Sequence, residues 1–192
     1  MSHMNFRAHY DSTRDYVANS VRGPWCFQSS VGKSAGAFMS YEIAPLKGKD
    51  VEESVKLLQI LGSQASEIFL DPRVLGQTIY GPHAITLIAK EKEKIVGVIH
   101  GTATIPPNIV LLVTQPKAGL WSTLVDKFLD HVRIQLPSVK AVRTNLPADM
   151  PEIVGFYSSK GFVVEGFVKA GAQGRDLVFL QKSLAHQTTP VA

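Results

Sequence analysis

The chain has 192 residues, 45% of them apolar and 19% charged, with a formal net charge of +4. That length suits one domain with a sizeable core plus some tail, and the composition excludes a disordered chain. The charge is mildly basic without any Lys/Arg block of five or more, so it gives nucleic-acid binding no support and suits an anionic small ligand equally well.

Residues 1–38 lack a clean period and read as an irregular extension. "MSHM" has the look of a cloning remnant, and His3 and His9 belong to this stretch. It holds four basic residues (Arg7, Arg14, Arg22, Lys33) against Asp11 and Asp15, so an organelle-targeting segment stands as the alternative to a cytoplasmic chain. In "RGPWCFQ", Trp25 and Phe27 are the residues able to pack on the domain. Cys26 is the only cysteine, which rules out an internal disulfide and fits a reducing compartment. "VGKS" at 31–34 is not a phosphate loop, because Phe27 stands where the first glycine of that motif is needed.

From Phe38, "FMSYEIAPL" alternates and ends at a proline, as a strand does. In "KDVEESVKLLQILGSQAS", Val51, Val55, Leu57, Leu58 and Leu61 share a helical stripe, with Asp50, Glu52 and Glu53 at its positive end. A second short helix is predicted over "SEIFLDPRVLGQ". "AITLIAK" and "KIVGVIHGTAT" form a hairpin about the charged turn "EKEK". "NIVLLVT" is an unbroken apolar run, expected of a central strand covered on both faces.

Leu120, Leu124, Val125, Phe128, Leu129 and Val132 form the next helical stripe, with Asp126, Lys127, Asp130 and His131 facing water. "VKAVRTNLP" is a fifth strand. "DMPEIVGFYSSKGF" is a helix with Asp149 as N-cap, Glu152 completing a capping box and Gly161 as the stop. "FVVEGFVKA" and "RDLVFLQKSL" are the last strands, and residues 185–192 form a polar tail. No apolar run nears the length of a membrane span, and no metal-ligand spacing occurs. The expected fold is therefore a mixed α/β, largely antiparallel sheet of six to seven strands flanked by helices.

This order, ending in "FYSSKGFVVEGF", resembles the GCN5-related N-acetyltransferase (GNAT) superfamily over roughly residues 39–184. The signal is Tyr-x-x-x-Gly-Phe, Tyr157 to Phe162, supported by "YEIAPL", "DVEES" and "KIVGVI". The resemblance implies acetyl-CoA or another acyl-CoA as donor, an amine acceptor attacking the thioester directly, and no metal. It implies neither nucleic acid nor membrane as partner, and leaves a homodimer open.

The same resemblance carries roles onto residues. The loop after the fourth strand is expected to bind the pyrophosphate through backbone N–H groups, an arrangement that a helix N-terminus favours in any protein. Cofactor binding then falls to Leu112, Val113, Thr114, Lys117, Ala118, Gly119, Leu120, Trp121 and Ser122, with Asn145 and Phe156 beyond. Gly119 takes the first glycine position of the family's loop, but Trp121 stands at the second, and Pro116 replaces a basic or amide residue for which Gln115 or Lys117 substitutes after a small shift. Tyr157 matches the family's proton donor to the leaving thiolate. "NIVLLVT" has no acid or histidine to deprotonate the amine, which makes His100 the candidate base; Glu67 and Asp71 are candidates to line an acceptor pocket. The altered loop keeps a second function in play: a non-catalytic domain acting as an acyl-CoA sensor or interaction module. A third is another reaction on a CoA thioester, such as decarboxylation.

Overall fold

The computed structural model describes residues 41–62, 71–115, 117–171 and 174–184. The readings of the N-terminal extension, Glu67, Pro116 and the C-terminal tail lie outside the described residues. Strands β1 (Glu42–Pro45), β2 (Ala84–Glu91), β3 (Lys94–Thr102), β4 (Asn108–Thr114), β5 (Ala141–Pro147), β6 (Val163–Val168) and β7 (Leu177–Ser183) alternate with helices α1 (Val51–Gly62), α2 (Pro72–Ile79), α3 (Leu120–Gln135) and α4 (Pro151–Ser159). They form one seven-stranded sheet in the order β1-β2-β3-β4-β5-β7-β6. Every pairing is antiparallel except β4 with β5.

Side chains alternate across each strand, so the sheet feeds two cores. On one face Val98, Ile88 and Val113 pack under α1 and α2, against Leu58, Leu75 and Ile79. On the other, Leu87, Ile99 and Leu112 pack under α3 and α4, against Phe128, Leu124 and Ile153. All six residues of the predicted α3 stripe are buried. Gly101 permits a close approach: a Cβ there would stand 2.7 Å from both the Asn108 carbonyl oxygen and Phe128 Cζ.

The β2–β3 hairpin turns at Lys92 and Glu93, with φ of +49° and +68°, the left-handed pair that matches the twist of adjoining strands. Asp71 has a structural part. It caps α2, accepting from the Arg73 and Val74 amides at 2.8 and 3.4 Å, and α2 accordingly begins at Pro72, later than the sequence suggests.

Two further expectations fail. Asp149 is not a helix cap: Met150 holds that position without a side-chain bond, and both Asp149 oxygens accept from Arg175 Nη2, at 2.6 and 2.8 Å. A charged partner 26 residues away outcompetes the local amides. Nor is β4 covered throughout, since Val110 is 56% exposed. The register against β3 steps from His100↔Leu111 to Gly101↔Ile109, so Val110 is the extra residue of a β-bulge.

Candidate active site

The bulge lies where β4 and β5 part. Their parallel pairing consists of Asn108↔Arg143 and Ile109↔Thr144 and goes no further. Beyond it β4 stays paired to β3 as far as Thr114↔Gly97, and β5 to β7 as far as Pro147↔Leu177. The sheet thus opens into a wedge between two strands that each remain in register on their outer side. A bulge bends and overtwists its strand, which accounts for the parting. Among the described residues, backbone N–H and C=O groups on the facing edges have no strand partner. Leu112, Val113 and Thr114 are buried by side chain, so what they offer the wedge is backbone.

Tyr157 stands at the vertex. It is 3% exposed, in edge-to-face contact with Phe156 and Phe162 at 5.2 Å centroid separation each. Its hydroxyl lies beside Thr144, the β5 residue of the last pair. Thr144 Oγ1 donates its own hydrogen to the Ile109 carbonyl at 3.1 Å. Burial pushes the phenol above its ordinary range, against a smaller opposing effect of the neighbouring Thr144. The group therefore keeps its proton at neutral pH.

At the open end, β4 runs into the loop before α3. The Gln115 amide closes onto Val96 and the Lys117 amide onto Gln115, while Ala118, Gly119 and Ser122 make no backbone N–H bond among the described residues. Gly119 holds the N-cap position at φ +76°, and a Cβ built there meets nothing within 4 Å. That conformation is one an L side chain avoids, and the space before it is open. The N-terminus of a 16-residue helix lies directly behind. The Trp121 indole leaves this space clear: it packs on the core and meets Phe156 edge-to-face at 5.5 Å. Lys117 does not face solvent alone, because its Nζ pairs with Glu91 at 2.5 Å. Asn145 is exposed on β5, one residue past the last pair with β4. Leu120 is fully buried in the core and offers the loop only its backbone.

His100 lies on the opposite face of the sheet from Tyr157, 2% exposed. Its Nδ1 is 2.8 Å from Thr86 Oγ1, which itself lies 2.6 Å from the Ile79 carbonyl oxygen at the end of α2. Burial lowers its pKa from 6.5 to about 4, so at neutral pH it is an uncharged ring. Sequence reasoning passed over Thr144, Thr86 and Asn108; none carries a local signal, because each matters through what faces it across strands.

Solved structures share this architecture. An acetyltransferase of the GNAT family from Streptococcus pneumoniae superposes with a TM-score of 0.63 at 20% identity, covering 76% of this chain and all (100%) of that one. The ribosomal-protein-S18-alanine N-acetyltransferase of Escherichia coli superposes at 0.65 with 12% identity, covering 80% and 99%. Ard1 from Thermoplasma volcanium superposes at 0.63 with 19% identity, covering 76% and 98%. The fold is the GNAT fold. No family model matches the sequence, and no curated protein sequence matches it. Among the described residues no group of His, Cys, Asp or Glu is placed to hold a metal, and no helix is long and apolar enough to cross a membrane. Within the GNAT frame, the wedge, Tyr157 at its vertex and the α3 N-terminus at its mouth follow one another along β4, whereas His100 lies on the other face of the sheet.

The neutral His100 makes stability depend on pH. Its folded pKa lies below the unfolded value, so between about pH 6.5 and pH 4 the unfolded chain holds more protons and stability falls as pH falls. The full loss is about 3 kcal/mol at 1.36 kcal/mol per unit. His131, lowered in the same direction by partial burial, adds to it. Urea unfolding of the wild type at pH 7 and pH 4.5 should show the loss, and His100→Gln should remove most of the difference.

Proposed function

We infer that the protein is an acyl-CoA-dependent N-acyltransferase, with acetyl-CoA as the donor and a primary amine of a small molecule or peptide as the acceptor. The observation that carries this reading is the Tyr157 hydroxyl, proton retained, at the vertex of a wedge whose mouth is a helix N-terminus. The β4 edge at Leu112–Thr114 and Asn145 on β5 would bond the pantetheine amides. The amides of Ala118, Gly119 and Ser122 would hold the pyrophosphate, and Trp121 and Phe156 would wall the groove. In the reaction a bond forms between amine nitrogen and acyl carbon as the carbon–sulfur bond breaks. Tyr157 supplies the proton the sulfur takes up and is reprotonated from solvent, and the surplus amine proton leaves to solvent.

One observation favours a second reading, an acyl-CoA sensor or interaction module without catalysis. Glu91 neutralises Lys117, a cation within the loop, and puts a carboxylate beside it. The loop then relies on backbone amides alone. Calorimetric titration with acetyl-CoA, followed by thiol release with a panel of amines, separates the readings. Binding without release in any amine would leave the sensor; absence of binding at millimolar acetyl-CoA would remove both. Gly119→Val should weaken acetyl-CoA at least tenfold while the protein still folds, because its side chain enters open space in a conformation it disfavours. Unchanged affinity in that variant would take the loop out of the site.

A further inference from the structure

Asn108 and Ile109 are consecutive on β4 at the two pairs that join it to β5, so their side chains leave the sheet on opposite faces. The Ile109 face carries Thr144 and Tyr157. The Asn108 face is that of α1 and α2, and it carries His100 too, two residues along β3 from Val98 in the core under those helices. Thr102 pairs with Asn108, which makes His100 and Asn108 diagonal neighbours on adjacent strands, a relation that long side chains can bridge.

Each carries a buried polar atom with no hydrogen-bond partner among the described residues, His100 Nε2 and Asn108 Oδ1. Thr86 decides the character of the first. Its one hydroxyl hydrogen goes to the Ile79 carbonyl, so the contact with His100 Nδ1 requires Nδ1–H to donate. A neutral imidazole has one N–H, and Nε2 is left as a bare lone pair. The pair therefore consists of two acceptors. Buried acceptors without donors are costly, and the cost is relieved by a ligand that brings two N–H bonds.

The surroundings say which kind. Asp50 is bonded to Lys90, Glu53 to the Ile95 amide, and Asp71 caps α2. Arg143, across from Asn108 on β5, reaches away to Gln181 and Glu165. Asp50, Glu53 and Asp71, on the α1 and α2 side, are thus engaged elsewhere, and a buried ammonium without a counter-charge is strongly disfavoured. An uncharged primary amine has two N–H bonds and one lone pair. Asn108 is only part-buried, the more exposed member of the pair.

We propose that His100 Nε2 and Asn108 Oδ1 hold the two N–H bonds of an uncharged primary amine, the acyl acceptor, so that its lone pair is directed at the β4–β5 wedge, with Thr86 as the positioning residue that fixes the imidazole. The proposal rests on the N-acyltransferase reading. It places the attacking amine on one face of the sheet and the proton donor to the leaving group on the other. It also selects acceptors that shed their charge easily: a peptide α-amine, ordinarily near pKa 7.7–8.0, over a lysine side chain near 10.4.

The test uses the full chain with ¹⁵N-labelled histidine. The spectrum of the free protein should show His100 protonated at Nδ1 and bare at Nε2. An alanine-initiated peptide amide should shift Nε2 saturably, and Nα-acetyl-lysine amide should do so at least tenfold more weakly. Thr86→Val should raise KM for the peptide at least tenfold with acetyl-CoA affinity unchanged, and Thr86→Ser should restore it. A protonated Nε2 in the free protein overturns the proposal. So does an Nε2 signal that neither amine moves, the result expected if a buried water alone satisfies both atoms, and so does equal impairment in the Val and Ser variants. Acetyl-CoA affinity measured on the same sample separates the two failures: absent binding sinks the acyltransferase reading, while the Nε2 titration still decides whether the amine docks here.

Discussion

Replacing Tyr157 by phenylalanine should lower turnover of acetyl transfer about 100-fold and leave acetyl-CoA affinity within about threefold, the lower end of what a positioned acid contributes. The variant keeps the ring, and with it the contacts to Phe156 and Phe162. Thr144 keeps its own bond to Ile109. What disappears is one hydroxyl at the vertex, whose deletion should cost about 1 kcal/mol of stability. The expected signature is a fall in kcat with little change in binding or melting temperature, measured by thiol release and calorimetry on one preparation. Turnover within threefold of wild type would assign Tyr157 to packing alone and hand the leaving group's proton to solvent.

Phe128→Ala should destabilise the fold by about 3–5 kcal/mol, the range for emptying a fully buried aromatic site, and lower Tm by roughly 10 °C at 2–4 °C per kcal/mol. Phe128 is 0% exposed and sits against the backbone of β3 at Gly101. It therefore sets how close α3 lies to the half of the sheet that carries β4. Loss of the ring should be felt twice, as reduced stability in denaturant titrations and as weaker acetyl-CoA binding, since the α3 N-terminus behind Gly119 moves with its helix. A loss below about 1 kcal/mol would mean that Leu124 and Leu129 close the space and that α3 is held elsewhere.

These two residues were among the most legible in the chain. Phe128 falls on a stripe with the helical period, and that period is local information. Tyr157 sits in a short spaced motif before Gly161, whose φ of +80° ends α4. The parting of β4 from β5 was not legible. "NIVLLVT" and "VRTNLP" read as strands, but nothing in either says that their pairing stops after two residues. The apolar run suggested a strand covered on both sides, and the bulge that exposes Val110 depends on the register with β3. Asp149 failed for the same reason: its spacing fits a cap, while its partner Arg175 arrives from another turn of the chain. Trp121 was legible as a departure in the loop, but only its contact with Phe156 shows that it departs toward the core.

A sheet joined across its middle by two residue pairs is mechanically two plates on one short hinge. β1 to β4 make one plate and β5, β7 and β6 the other. Anything extended that slides between them completes a ladder that the chain itself leaves open, so occupancy should be written in the exchange of backbone hydrogens. Amides of β4 past Ile109 that face the wedge should exchange quickly when it is empty and slowly when it is filled, while the alternate amides bonded to β3 stay protected throughout. The strand carries its own gauge of occupancy, readable without labelling the ligand.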